Sequence, residues 1–341
     1  MNDSEIFDFL AFGLSHHEGT VEKKVSKKFI GKPTKALRPL LENSVKRYKR
    51  DDCCLMLSGG IDSSAIECLT GVDAFTASFH GSGMDELRYA RLATKKGGGK
   101  LVIVKPTPNS IMARLDEQLA EQGPLASLGV CAQYQVMEAA AYSGFKTILS
   151  GNGPDELLGG YLPYFGAYLK TLLGNGYYQD TLTEMCGAMF NMKLTKPWHF
   201  TSMLSNLAPD TLKAYLATKR LARLINPDFT RYANQYNYER LKTGSFSELL
   251  ENDLNIATVP QIGHYEDTAA KAWGLKCVRP FLSQPIVDYC TKLPMNQKIR
   301  GGVTKYCFRK AMEGIVPTEI LTRKDKIGFT SPERWLMRVS Y

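Results

Sequence analysis

The stretch Cys53-Cys54-Leu55-Met56-Leu57-Ser58-Gly59-Gly60-Ile61-Asp62-Ser63-Ser64 decides how this chain reads. Asp51-Asp52 breaks the pattern before it, and the apolar run 53–57 then predicts a short strand buried on both faces. Ser58-Gly59-Gly60 turns the chain into a helix expected from about Ile61 to Leu69. Glycines let a backbone turn tightly and bring its N–H groups close to an anion. A new helix adds its positive end and unsatisfied donors, and Ser58, Ser63 and Ser64 add hydroxyls. The result is a cradle for a polyanion such as pyrophosphate. It is not a Walker loop, because no Gly-Lys-Ser/Thr closes it. Asp62 would repel a bare phosphate, and a bridging Mg²⁺ resolves that conflict. A plain glycine turn capped by serine and aspartate remains open from these residues alone.

Working outward, Ala36, Leu37, Leu40, Leu41, Val45 and Tyr48 recur at helical spacing, with Lys46, Arg47, Lys49 and Arg50 at the C-terminal end where the dipole favours cations. Downstream, strands are expected near Val72–Phe79, Leu101–Lys105 and Phe145–Leu149. Helices are expected near Met84–Lys96, Ser110–Glu121 and Cys131–Tyr142. Strands alternating with helices predict an α/β fold with a doubly wound parallel sheet, helices on both faces. Ligands of such sheets bind at the carboxyl ends of the strands. A second glycine loop falls at such an end: Ser150-Gly151-Asn152-Gly153-Pro154-Asp155-Glu156-Leu157-Leu158-Gly159-Gly160-Tyr161. Its Asp155 offers a second carboxylate to the same Mg²⁺, with a common helix N-cap as the alternative. Beyond about residue 161 strand-like runs nearly vanish and helical patterns dominate.

Composition narrows the class. The chain has 341 residues, 44% hydrophobic and 23% charged, enough for a large core. No run approaches the roughly 18 apolar residues of a membrane span. The opening residues carry acids early and no basic region before an apolar stretch, unlike a signal peptide. The net charge of +9 is concentrated. Residues 21–50 hold eleven Lys/Arg against Glu22 and Glu42, and residues 291–326 hold nine against Glu313, Glu319 and Asp325. The eight cysteines form no C-x-x-C pair, and Cys53 and Cys54 would point to opposite faces of a strand. A reduced, cytoplasmic chain is the expectation. Lys96-Gly97-Gly98-Gly99-Lys100 precedes a strand and reads as a helix-ending turn. His16, His17, His80, His199 and His264 lack ligand spacing, and Trp198, Trp273 and Trp335 read as packing residues.

Several ordered motifs together resemble the synthetase domain of the asparagine synthetase family, in the ATP pyrophosphatase (PP-loop, adenine nucleotide alpha hydrolase-like) superfamily. Ser58–Ser64 is similar to its SGG-x-DS loop, and Ser150–Tyr161 to its SGEG-x-DELFGGY loop. From Asp267, DTAAKAWGLKCVRPFLS keeps the family spacing to a Pro-Phe-Leu element. Lys305-Tyr306-Cys307-Phe308-Arg309 and Lys324-Asp325-Lys326-Ile327-Gly328-Phe329 fit its late lysine elements, with Pro332 and Trp335 following. The resemblance divides the chain into a linker-like segment 1–35 and a synthetase-like domain 36–341. Within that domain, 36–160 is the α/β nucleotide-binding core and 161–341 a mainly helical part that completes the site.

The resemblance implies an ATP-dependent ligase. Adenine would lie near Leu57 and Phe79, with ribose and α-phosphate near Ser150, Gly151 and Gly153. The β,γ-phosphates would lie in Ser58, Gly59, Gly60, Asp62, Ser63 and Ser64, and Asp62 and Asp155 would hold Mg²⁺. A carboxylate of a small molecule or peptide would be adenylated, releasing pyrophosphate, and an amine or ammonia would displace AMP. Lys305 and Lys326 would neutralise the developing charge.

The departures matter as much. Only 57 residues precede Ser58, too few for the family's glutaminase domain, and residue 2 is Asn2 where that domain needs cysteine. The chain is therefore expected to use free ammonia, ammonia from a separate partner protein, or another amine. Asn152 stands where the family has a glutamate resembling a base for ammonia attack, and Asn takes no proton at neutral pH. Lys276 replaces a family Glu, Ser283 an Asp, and Arg279 sits one place late. Ammonia-dependent asparagine synthesis, a non-catalytic ATP-binding relative and a PP-loop tRNA-modifying enzyme are the alternatives. Membrane and nucleic-acid partners are not expected.

Overall fold

The structure, a computed structural model, describes residues 33–79, 85–123, 130–192 and 245–324. Lys326, Trp198, Trp335, His16, His17, His80, His199 and residues 21–32 of the basic stretch 21–50 lie outside the described residues. Among the described residues no helix is long and apolar enough to cross a membrane.

One parallel sheet carries β1 (Cys53–Met56), β2 (Ala74–Ala77), β3 (Leu101–Val104), β4 (Thr147–Leu149) and β5 (Lys276–Val278) in the order β3-β2-β1-β4-β5. Leu55 pairs with Ala74 on one side of β1 and with Leu149 on the other. The order reverses direction between β1 and β4. That switch point is where an open α/β sheet binds ligands.

The described residues form two compact units, and the sheet belongs to one of them, with 33–79, 85–123, 130–154, 262–292 and 307–324. Every residue of β1 is buried. Successive side chains on a strand point to opposite faces, so both faces of the sheet are covered there. On one face Cys54, Met56, Phe75 and Ile148 share a core with Val136, Met137 and Ala140 of helix Cys131–Tyr142 and with Ala269 and Ala270 of helix Thr258–Ala272. Helix Ile61–Thr70 packs on β1, on helix Leu87–Gly97 and on helix Pro33–Lys46. All eight cysteines are free thiols.

Two local expectations change, and one holds. The helix expected over 110–121 is two, Pro108–Ala113 and Leu115–Gln122. Thr107 and Ser110 form a capping box that starts the first one early, and the break falls at Arg114, which binds Glu117 and Glu138. The fifth strand was not expected, because Lys276-Cys277-Val278 is three residues long at the sheet edge and shows neither an apolar run nor alternation. The Lys96–Lys100 stretch does end a helix: Gly98, at φ +96°, donates its N–H to the Thr94 carbonyl at 2.8 Å. Trp273 packs on Tyr134, with ring centroids 5.4 Å apart.

The other unit comprises 155–192, 245–261 and 293–306. Helices Leu162–Gly174 and Phe246–Asn255 enclose a core of Phe165, Tyr168, Leu169, Phe246, Leu250 and Ile299. Ser245 and Glu248 cap the start of the second helix reciprocally. Arg300-Gly301-Gly302-Val303 forms a tight turn, with both glycines at positive φ as a primed turn requires. Gly302 N–H donates to Glu184 at 2.9 Å, which pins this turn two residues before Thr304-Lys305.

Candidate active site

In the sheet unit, the loop after β1 is built by its own hydroxyls. Ser58 Oγ lies 3.0 Å from Ser63 Oγ and accepts from Gly60 N–H at 3.2 Å, and Ser58 N–H donates to Ser63 Oγ at 3.2 Å. Gly60 caps helix Ile61–Thr70 without any side-chain cap, leaving that end to its backbone donors. Asp62 sits in the first turn and is buried. Ser64 is fully buried, and its hydroxyl has no hydrogen-bond partner among the described residues. Leu57 and Phe79 lie at or just beyond strand ends, and both side chains are buried in protein.

The loop after β4 closes on this one. A Cβ added to Gly151 would fall 2.7 Å from Ser63 N and 3.0 Å from its Cα, so only glycine lets the two backbones meet. Gly153, at φ +115°, rests on Leu282 of the Pro-Phe-Leu turn. Phe281 of that turn meets Phe308 edge-on at 5.5 Å. Ser150 is buried, and its hydroxyl is committed to Glu266 Oε1 at 2.7 Å. Asn152 Nδ2 donates to the same oxygen at 2.6 Å.

Two residues here were not singled out from the sequence. Glu266 is fully buried and pairs with Arg279 at 2.7 Å. Arg323 lies over the Tyr89 ring at 3.9 Å, pairs with buried Glu86 and donates to the Gly59 carbonyl at 3.4 Å, so a cation flanks the phosphate loop. Neither lies in a glycine motif. The one signal available was the displaced Arg279, which serves Glu266. The other departures lie apart from this network: Lys276 is exposed, and Ser283 Oγ lies 3.0 Å from Ser44 Oγ.

The helical unit holds the remaining described candidates. Lys305 Nζ lies 2.6 Å from Asp155 Oδ1, and both side chains are almost wholly buried. A Cβ on Gly160 would fall 1.8 Å from Asp155 Oδ1 and 2.3 Å from Lys305 Cε, so the glycine makes room for this pair. Lys305 has φ +52°, the one positive-φ residue other than glycine among the described residues. Such backbone is costly for a residue with a Cβ and clusters at functional sites. Next to it, burial pushes the Glu156 carboxyl up to about 7, reinforced by the charge on Asp155. Tyr161 donates to Glu156 at 2.7 Å.

The donor chemistry fits Mg²⁺. No group of three or more His, Cys, Asp or Glu suited to a metal occurs among the described residues. A metal here would need its other ligands from phosphate and water, which is how Mg²⁺ is commonly held: one or two carboxylates plus substrate phosphates. The amide-lined loop with the orphan Ser64 hydroxyl fits a polyphosphate in the same way.

The family model described as Asparagine synthase matches residues 36–340. Among curated proteins, the chain is 27% identical over 327 residues to "Asparagine synthetase [glutamine-hydrolyzing] 1" of Bacillus subtilis, covering 89% of this chain and 51% of that protein. It is 22% identical over 347 residues to "Amidase chyE" of Penicillium rubens, covering 85% and 51% respectively. The chain thus spans about half the length of these relatives.

Proposed function

The chain belongs to the asparagine synthase family, and from that premise we propose that it is an ATP-dependent, AMP-forming carbon–nitrogen ligase. An oxygen of a substrate carboxylate attacks the α-phosphorus of ATP, the bond to the β-phosphate breaks, and pyrophosphate leaves. An amine nitrogen then attacks the acyl carbon, AMP departs with the bridging oxygen, and the nitrogen loses a proton. The observation that carries this reading is the contact of Gly151 with Ser63, which makes the two glycine loops one surface at the sheet's switch point.

Each residue has a task in it. Backbone amides and hydroxyls of 58–64 hold the β,γ-phosphates. Ser150, Gly151 and Gly153 border the ribose and α-phosphate, and Leu57 and Phe79 the adenine. Lys305, pinned by Asp155, offsets charge on the leaving phosphate, a role worth roughly a hundredfold to a thousandfold in rate for a well-aimed donor. Lys326 acts with it. Asp62 and Asp155 would hold Mg²⁺, which supplies neutralisation of the polyphosphate. Eight free thiols support a cytoplasmic setting. Ammonia from a separate protein is one source of the nucleophile.

The test uses the full chain with ATP, Mg²⁺, a panel of carboxylic acids and hydroxylamine as acceptor. AMP and a hydroxamate should form in equal amounts with at least one acid, and Asp62→Ala should abolish both. A silent panel, or a fully active Asp62→Ala, would refute the reading. Asparagine synthesis proper is decided in the same assay by supplying aspartate and ammonia.

A further inference from the structure

Glu266 lies in helix Thr258–Ala272, more than a hundred residues beyond the loop it holds, and it is fully buried. Its Oε1 accepts from Ser150 Oγ at 2.7 Å and from Asn152 Nδ2 at 2.6 Å. Its Oε2 accepts from Arg279 Nε at 2.7 Å, with Cys277 Sγ at 3.8 Å. Arg279 is held in turn by Asp267 and by the Gly263 carbonyl, each at 3.0 Å from its Nη2. An ionised carboxylate only accepts hydrogen bonds. The Asn152 amide must therefore turn its NH₂ to Glu266, and its carbonyl Oδ1 is the end left for a ligand. Asn152 is only half-buried, and it adjoins Gly151, which touches the phosphate loop at Ser63.

We propose that Glu266 is the positioning residue that fixes Asn152 as a neutral hydrogen-bond acceptor for the nucleophile, and that the site thereby selects an uncharged amine over an ammonium ion. The inference rests on the ligase reading above. Oδ1 accepts one N–H of an amine and leaves the nitrogen lone pair free to meet the acyl carbon. It brings no charge to attract an ammonium ion, as a carboxylate at position 152 would. The charge of Glu266 is taken up by Arg279 and the hydroxyl of Ser150, and it acts through Asn152 only.

The test compares hydroxylamine, uncharged at neutral pH, with an ammonium salt, whose nitrogen attacks only after losing a proton to solvent, as competing amine sources in the full chain supplied with ATP and Mg²⁺. Glu266→Gln should raise KM for hydroxylamine about tenfold, the worth of one hydrogen bond. ATP–pyrophosphate exchange should fall less than the amine step, since Glu266 reaches that half-reaction only through the Ser150 hydroxyl. Asn152→Glu should lower the preference for hydroxylamine over ammonium by about tenfold. An unchanged KM in Glu266→Gln, or an unchanged preference in Asn152→Glu, overturns the proposal. So does an equal loss of both half-reactions in a folded Glu266→Gln. If Glu266→Gln does not fold, Asn152→Ala carries the same KM test at a half-buried position.

A second readout is independent of any acid. In ¹⁵N-labelled protein, the Asn152 side-chain amide should show one proton shifted downfield and slow to exchange, and Glu266→Gln should abolish that signature. A freely exchanging amide, indifferent to Glu266→Gln, sinks the assignment whatever the ligase assay gives. A silent acid panel with the NMR signature present removes the ligase reading and the amine selection, and leaves the Glu266–Asn152 positioning in place.

Discussion

The phosphate loop and its neighbour serve the same strand ends and are held in opposite ways. Residues 58–64 hold themselves, through bonds among Ser58, Gly60 and Ser63 that span at most five residues. Residues 150–153 are held from afar, by Glu266 with Arg279 behind it and by Leu282 beneath Gly153. The difference teaches where chemistry can change. A loop closed by its own hydroxyls keeps its shape with little help from distant side chains. A loop fixed by distant side chains can be retuned by substitutions that never touch the nucleotide, and the departures from the family pattern that meet this chemistry, Asn152 and Arg279, fall in this second set.

The largest effect should come from Arg279→Ala. It strands a fully buried Glu266 without its cation, which costs about 3–5 kcal/mol of stability. Urea unfolding measures this, and a loss below about 1 kcal/mol would mean that the pair does not hold the second loop. Next comes Gly151→Ala. Its methyl meets backbone at Ser63, and overpacking of about 1–3 kcal/mol should weaken ATP·Mg²⁺ binding roughly tenfold to a hundredfold by calorimetry.

A pH effect should follow on the phosphate-loop side. Burial pushes the Glu67 carboxyl from 4.5 up to about 7, although it accepts the Gly99 N–H at 3.1 Å. The folded state keeps a proton that the unfolded chain has released between those values. The resulting stabilisation is complete below pH 4.5 and is lost as pH rises to about 7. It is worth about 3 kcal/mol, and Glu67→Gln should flatten that slope in unfolding curves. The smallest effect is Ser64→Ala. Its hydroxyl is buried without a partner among the described residues, so the nucleotide-free protein should gain about 1 kcal/mol while KM for ATP rises. A loss of stability instead would give Ser64 a structural bond within the protein.

What the sequence made legible follows the same division. β1 to β4 and both glycine loops stand out because apolar runs and Gly punctuation are local signals, and the parallel sheet they imply is present. β5 is a three-residue edge strand with an exposed lysine, and it becomes a strand only by pairing with β4. Glu266 sits mid-helix with no motif around it, and its role exists only once the fold brings Ser150, Asn152 and Arg279 to it. Lys305 was legible as a lysine of the right neighbourhood. Its left-handed backbone carries no sequence signal, and its pairing with Asp155 uses the space left by Gly160.

The central claim is that a carboxylate oxygen bonds to the α-phosphorus of ATP. The most direct measurement supplies an ¹⁸O-labelled carboxylic acid with ATP, Mg²⁺ and hydroxylamine, and follows the label by mass spectrometry. The account predicts one ¹⁸O in the phosphate of AMP and none in pyrophosphate. Label in inorganic phosphate, with ADP as the nucleotide product, would contradict it.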